Sequence, residues 1–277
     1  MIVDINAQNL VISVITVSYN SSDTIAKTMQ SVLSQNYQEI EYIIVDGGST
    51  DNTHEIIRSN MDERVRLIIE SDAGIYDAMN KGFALATGDI IYFLNCGDYL
   101  SDDTVIEKIC SILKSEHDID AVYGDIILYD DYNKNLVQIE RITPFHVMTR
   151  CGICHQAIFV KKNSFYNTKP FNINYKIYAD YDWLLNGICD HNYRLCYLNV
   201  PVVYYKAGGI SQQARDRRFF TERLILIHKY FTRVFNRDII IKHPLELLIF
   251  VVIYTHLLLR YIKFLTHKEI VLRFSRT

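Results

Sequence analysis

No stretch of the 277 residues holds the roughly twenty consecutive apolar side chains that a helix needs to cross a membrane. The N-terminus, MIVDINAQNL, has neither a basic region nor an apolar core, so no secretory signal is expected and the six cysteines are expected to be reduced thiols. Cys151–Gly152–Ile153–Cys154–His155 fits the CxxCH spacing of covalent haem, but that chemistry requires export. No second CxxC accompanies it, since Cys189, His191 and Cys196 are wrongly spaced, which argues against zinc. No GxGxxG follows the first apolar run, which disfavours a dinucleotide-binding dehydrogenase. There is no internal repeat or low-complexity tract.

What is present is a chain able to build a core, with 49% hydrophobic and 22% charged residues. Its 20 Tyr and 13 Phe contrast with a single Trp. The net charge of −3 hides an asymmetry: residues 1–214 carry 16 Lys/Arg against 27 Asp/Glu, and residues 215–277 carry 13 against 5. An acidic body with a basic tail points the tail toward an anionic surface such as phospholipid.

Strand and helix alternate through the first half. Val11–Val17, Glu41–Asp46, Val65–Glu70, Ile90–Leu94 and Ala121–Leu128 read as strands; Thr24–Gln35, Asp51–Asn60 and Asp102–Glu116 read as helices. Continuous apolar strands in a βαβ rhythm predict a mostly parallel central sheet covered by helices on both faces. Beyond about residue 129 the rhythm breaks. A turn is expected at Asp130–Asn135, strands at Val137–Arg141, Gln156–Val160, Tyr193–Leu198 and Val202–Lys206, and a helix at Ala179–Cys189. Ala214–Phe235 reads as a basic amphipathic helix. Leu247–Leu259 (LLIFVVIYTHLLL), bracketed by Glu246, Arg260 and Lys263, is too short to span a bilayer and suits an interfacial helix; packing against protein is the alternative.

The segment Asp72–Asp98, DAGIYDAMNKGFALATGDIIYFLNCGD, is the most informative. Asp72 can cap a helix and Gly88 can close it. Ile75, Met79, Gly82, Phe83 and Ala86 share one face, with Asp77, Asn80 and Lys81 opposite. A buried strand follows, then Asn95–Cys96–Gly97–Asp98 at its carboxyl end, where open α/β sheets bind ligands. A carboxylate there is placed to hold a divalent cation against a diphosphate.

VISVITVSYN, IIVDGGSTDNT, SDAGIYDAMNKGFALATGDIIYFLNCGD, HQAIFV and YADYDWLL, in that order, resemble the family 2 glycosyltransferases of GT-A fold, in particular the bacterial O-antigen and capsule type, over residues 10 to 215. The resemblance implies a UDP-sugar donor and Mn²⁺ or Mg²⁺. It places Val17 and Tyr19 along the nucleoside and makes Asp46 the acceptor of a uracil hydrogen bond, with an Asx turn over Gly47–Gly48 as the local alternative. It sets Asp72 and Lys81 around the nucleotide. The family's DxD is reduced here to Asn95 and Asp98, leaving Asp98 as the metal carboxylate with Asn95 assisting. The acidic pair at the acceptor-side helix becomes Ala179–Asp180, which makes Asp180 the general base ahead of Asp182; Trp183 follows it. His155–Gln156 resembles a pair bordering donor sugar or acceptor, and Gly208–Gly209–Ile210–Ser211 a loop that closes over diphosphate.

The resulting expectation is an inverting, non-processive hexosyltransferase. It would act on a polyprenyl-diphosphate-linked saccharide, peripheral to the cytoplasmic face of the inner membrane. Residues 1–213 would form the catalytic domain, with a nucleotide-sugar half to about 128 and an acceptor half after it; 214–277 would be a helical extension. A processive synthase would want QxxRW, whereas Gln212–Gln213–Ala214–Arg215 leads to Asp216. A sugar nucleotidyltransferase would want a glycine-rich basic loop after the first strand, and Ser18–Ser22 has neither property. The remaining alternative is an inactive membrane-associated nucleotide-sugar-binding protein, which the retained Asp98 and Asp180 disfavour.

Overall fold

The computed structural model describes residues 9–139, 153–209 and 217–234, with positions 142, 147, 248, 251, 252, 254, 255, 258 and 259. Cys151–Gly152, Ile210–Ser211 and most of 243–265 lie outside these.

Among the described residues nine strands form one sheet. The first half supplies β1 (Ile12–Ser18), α1 (Ile25–Leu33), β2 (Ile40–Asp46), α2 (Thr53–Ser59), β3 (Val65–Ile69), α3 (Ile75–Leu85), β4 (Ile90–Phe93), β5 (Tyr99–Leu100) and α4 (Val105–Ser115). The second half supplies β6 (Ala121–Tyr129), β7 (Lys134–Val137), a 3-10 turn at His155–Ala157, β8 (Ile158–Lys161), α5 (Lys162–Asn167), α6 (Ala179–Asp190), β9 (Leu195–Lys206) and α7 (Arg217–Val234). The strand order is β3-β2-β1-β4-β8-β6-β9-β5, with β7 beside β6.

β3, β2, β1 and β4 are mutually parallel, and β6 is parallel to β9. β8 lies antiparallel between β4 and β6. β5 and β7 also run against their neighbours, so the sheet is mixed, with six of its nine strands in one direction. All seven residues of β1 and all four of β4 are buried, as strands covered on both faces must be.

α3 lies on β1 and β2. Gly82 permits the approach, since a Cβ there would sit 2.4 Å from Ile15 Cγ2 and 3.3 Å from Val45 Cγ2. The helix begins after Gly74 rather than at Asp72, and ends at Leu85, before Gly88. Gly88 instead donates its N–H to Ser13 Oγ where the chain enters β4.

Two expected strands, Tyr193–Leu198 and Val202–Lys206, are one. Pro201 cannot donate to a ladder, and the strand tolerates it because the β6–β9 register shifts beside Gly124 and Asp125. The strand expected over Val137–Arg141 is met by β7 only at Val137, since β7 runs Lys134–Val137; Glu140 and Arg141 lie outside the described residues.

α7, read from sequence as part of a separate extension, packs on the body. Phe220, Leu226, Ile227 and Tyr230 are buried, and Lys229 and Arg233 pair with Asp182 and Asp190 of α6.

Candidate active site

The carboxyl ends of β1, β2 and β4 gather the first group of predicted residues. The Val17 side chain is buried in the core, so only its backbone lies near the site. Beyond Ser18 the chain turns at Asn20 (φ 46°), and Asn20 is tied to Ser49 and Thr50 of the neighbouring loop. This clamp leaves the Tyr19 ring 63% exposed.

Asp46 is fully buried, and its carboxylate accepts from Ser18 Oγ, Ser49 Oγ, the Gly48 and Ser49 amides, and His54 Nε2, at 2.7 to 3.0 Å. Burial alone would raise its pKa, but these donors outweigh it and hold the carboxyl below the usual range. Asp46 therefore forms the Asx turn over Gly47–Gly48, the local alternative to a uracil contact, and builds the loop from within.

A Cβ on Gly47 would lie 2.5 Å from Asp72 Oδ2 and 3.4 Å from Tyr19 Cδ2. Tyr19 and Asp72 thus flank Gly47. Lys81 does not join them: its ammonium contacts Ser71 O at 2.7 Å, Glu70 at 2.9 Å and Asp77 at 3.6 Å, all local to α3 and the chain before it.

Asp98 closes the turn after β4. Gly97 adopts φ +97°, and Thr28 braces the turn by accepting from the Gly97 amide and donating to Asp98 O. The Asp98 carboxylate is 4% exposed; it accepts from the Lys206 amide at 2.8 Å and from Gln156 Nε2 at 2.9 Å. Burial pushes its pKa up to about 6, with those two donors, His155 and the Lys206 charge opposing the rise.

Two buried oxygens at this site, Asn95 Oδ1 and Gln156 Oε1, have no hydrogen-bond partner. Buried acceptors left bare are costly unless a ligand completes them. One carboxylate with two carboxamide oxygens is the hard, all-oxygen donor type that Mg²⁺ and Mn²⁺ take. Among the described residues no group of three His, Cys, Asp or Glu forms a metal cluster, so such an ion would have Asp98 as its charged protein ligand.

Asp180 stands in the first turn of α6. Its Oδ1 lies 3.0 Å from Tyr76 OH, whose single proton it shares with Ile177 O, and its Oδ2 meets His155 Nδ1 at 2.9 Å. The other His155 nitrogen, Nε2, meets Asn95 Nδ2 at 3.0 Å. An imidazole that donates from Nδ1 to the carboxylate has Nε2 left to face the amide. Because Gln156 touches Asp98, the adjacent pair His155–Gln156 bridges the two acids, one residue to each. Asp98 and Asp180 therefore belong to one hydrogen-bonded constellation, and Asp180 remains 19% exposed at its side chain.

Asp182 and Trp183 fall outside it. Asp182 receives Lys229 Nζ at 2.6 Å and Tyr230 OH at 2.9 Å from α7. Trp183 is buried against Phe165, Phe171 and Tyr193. One turns to a neighbouring helix and the other to the core, so neither is available to a sugar.

Comparison with known proteins identifies the family. The family model described as Glycosyl transferase family 2 matches residues 13–216. The chain belongs to that family. A PGL/p-HBAD biosynthesis glycosyltransferase from Mycobacterium bovis is 30% identical over 213 residues, covering 75% of this chain and 81% of the relative. An uncharacterized glycosyltransferase from Mycobacterium tuberculosis is 29% identical over 189 residues, covering 65% and 70%.

Among solved structures, S. aureus TarS 1-349 in complex with UDP-GlcNAc superposes with a TM-score of 0.67 at 17% identity, covering 81% of this chain and 67% of that one. The mannosyltransferase PcManGT from Pyrobaculum calidifontis, in complex with GDP-Man and Mn²⁺, gives 0.62 at 17%, covering 81% and 65%. The chain spans about two thirds of those two structures, and the likeness is one of fold, which is GT-A.

Sequence reasoning missed Tyr76, Thr28, His54 and Lys206. Tyr76 is an apolar-face residue of α3, and nothing in its spacing signals that its hydroxyl reaches Asp180. The His54–Asp46 contact needs α2 folded beside β2. Lys206 acts through its backbone, which carries no signal in sequence.

Proposed function

We propose that the protein is an inverting, non-processive glycosyltransferase that moves a hexose (glucose, galactose or an N-acetyl form) from a UDP-sugar to a lipid-linked saccharide. The observation that supports the reading is the His155–Gln156 bridge, which joins two carboxylates, Asp98 and Asp180, in one site.

In this reading the nucleoside lies over Gly47 between Tyr19 and Asp72. Asp98, with Asn95 and Gln156, would hold Mn²⁺ or Mg²⁺, which offsets the charge of a leaving diphosphate when bound. Asp180 accepts the proton of an acceptor hydroxyl, oriented by the donors Tyr76 and His155. The hydroxyl oxygen bonds to the anomeric carbon, the bond to the diphosphate oxygen breaks, and its electron pair leaves with UDP. Attack opposite the leaving group inverts the configuration.

The membrane reading is supported by the tail. Leu248, Val251, Val252, Leu258 and Leu259 are exposed, helical, and spaced to share one face, and residues 235–277 carry seven Lys/Arg against three Asp/Glu. No helix among the described residues is long and apolar enough to cross a membrane. An interfacial anchor at the cytoplasmic face of the inner membrane, facing a polyprenyl-diphosphate-linked acceptor, fits both facts. Because α7 belongs to the body, the informative truncation ends after residue 234; if it floats with anionic vesicles as well as the full chain, the tail is not the anchor.

A thermal-shift panel of UDP- and GDP-sugars with and without Mn²⁺ tests the donor class, since TarS and PcManGT were solved with different nucleotides. Asp180→Asn should keep the shift and lose transfer. Loss of both would make Asp180 a donor-binding or folding residue, and no shift with any nucleotide sugar would leave an inactive protein as the better account. Acceptor assays should include both an O-antigen or capsule intermediate, from the motif resemblance, and a PGL/p-HBAD biosynthesis intermediate, from the mycobacterial relative.

A further inference from the structure

We infer that Glu222, on α7, is a positioning residue for Asp180, an inference that rests on Asp180 being the base. Glu222 is a carboxylate only 7% exposed, in a helix whose sequence reads as a basic surface element. Its Oε1 accepts from the Lys176 amide at 2.8 Å, and its Oε2 from the Ile177 and Tyr178 amides at 3.0 and 3.2 Å.

Those three amides lie immediately before α6, at the positive end of the helix dipole, and the helix has no side-chain cap of its own. The start of α6 is thus fixed by a charge from another element. Ile177 is held from two sides: Glu222 takes its N–H, and Tyr76 OH donates to its carbonyl at 2.7 Å. The same Tyr76 hydroxyl lies 3.0 Å from Asp180 Oδ1.

The path from Glu222 to the base therefore runs through one residue and one hydroxyl. Farther along, Lys229 and Tyr230 grip Asp182, so α7 holds both the entry to α6 and its first turn. A carboxylate is required, because three N–H donors converge on it. An amide of the same shape would turn an NH₂ group toward one of them.

Steady-state kinetics of full-length Glu222→Gln test the inference. The expected result is a kcat lowered about 10- to 100-fold, the range a misplacement of about 1 Å produces, with donor KM and the nucleotide-induced thermal shift unchanged within about twofold. An unchanged kcat would overturn the inference. So would a parallel loss of kcat and donor affinity, which marks general loosening.

If Glu222→Gln does not fold, Glu222→Asp keeps the charge on an arm one methylene shorter. It should show the same kcat-only loss at smaller amplitude, and a normal kcat there would overturn the inference equally. Asp180→Asn separates the two readings. If it transfers normally, the base assignment fails; if it is inactive while Glu222→Gln transfers normally, only the role of Glu222 fails.

Discussion

Replacing Asp98 with Asn should make the cation-free protein more stable while removing its response to cations. The reasoning starts from the burial of the carboxylate, which raises its pKa from 3.8 to about 6. At about 1.36 kcal/mol per unit, an ionised Asp98 costs the fold about 3 kcal/mol above pH 6. The sign follows from linkage. The folded state binds this proton more tightly than the unfolded state, so stability from this group is fully present below pH 3.8 and is lost as pH rises through about 6.

A carboxamide carries no charge and escapes that penalty at every pH. The site also has a partner ready for it. The oxygen of the new side chain can keep the Lys206 amide, and its NH₂ can donate to Gln156 Oε1, which is otherwise unpartnered, once the Gln156 amide turns over. In chelator at pH 8 the variant should melt roughly 5–10 °C higher by calorimetry, with the gap closing as pH falls from about 6 to 4. Added Mn²⁺ should raise the wild-type melting temperature and leave the variant unmoved. A variant no more stable than wild type at pH 8, or a gap indifferent to pH, would refute the account of Asp98 as a buried charge kept for a ligand.

Tyr19→Ala should raise donor KM about 5- to 100-fold, since stacking on a base is worth ~1–3 kcal/mol, and should leave the melting temperature within about a degree because the ring is exposed. An unchanged KM would remove Tyr19 from the nucleoside platform. Gly82→Ala should destabilise by about 1–3 kcal/mol in urea unfolding, because the new methyl would meet Ile15 Cγ2 at 2.4 Å; a neutral result would mean α3 can lift from the sheet freely.

Much of the fold was legible because its signals are local. β1, β2 and β4 are continuous apolar runs, and α3 shows its buried stripe at helical spacing. The antiparallel insertion of β8 between β4 and β6 was not legible, because a run such as Ile158–Lys161 specifies a strand without specifying its neighbour. The same limit explains α7. Its amphipathic pattern reports that one face is covered, and the covering partner is α6.

At the site, Asp98 was expected from its place at a strand end and Asp180 from the family resemblance, and His155 and Gln156 bring the two into one constellation. For Asp46 the Asx turn over Gly47–Gly48 was legible, whereas the donors Ser18 and His54 converge on it only after folding. Asp182 and Trp183 share a short motif with Asp180 but leave the helix in other directions.

The departure from DxD at Asn95 acquires a reason once His155 is in place. Asp180 takes the Nδ1 proton of His155, so Nε2 presents a lone pair. Asn95 answers it with an N–H and keeps its oxygen free. An aspartate at 95 has no proton to offer at neutral pH; it would set acceptor against acceptor unless His155 took a second proton. The imidazolium would then lie between two carboxylates. A carboxamide at 95 therefore meets two demands at once beside this histidine: an oxygen left free for a cation, and an N–H turned to the imidazole nitrogen.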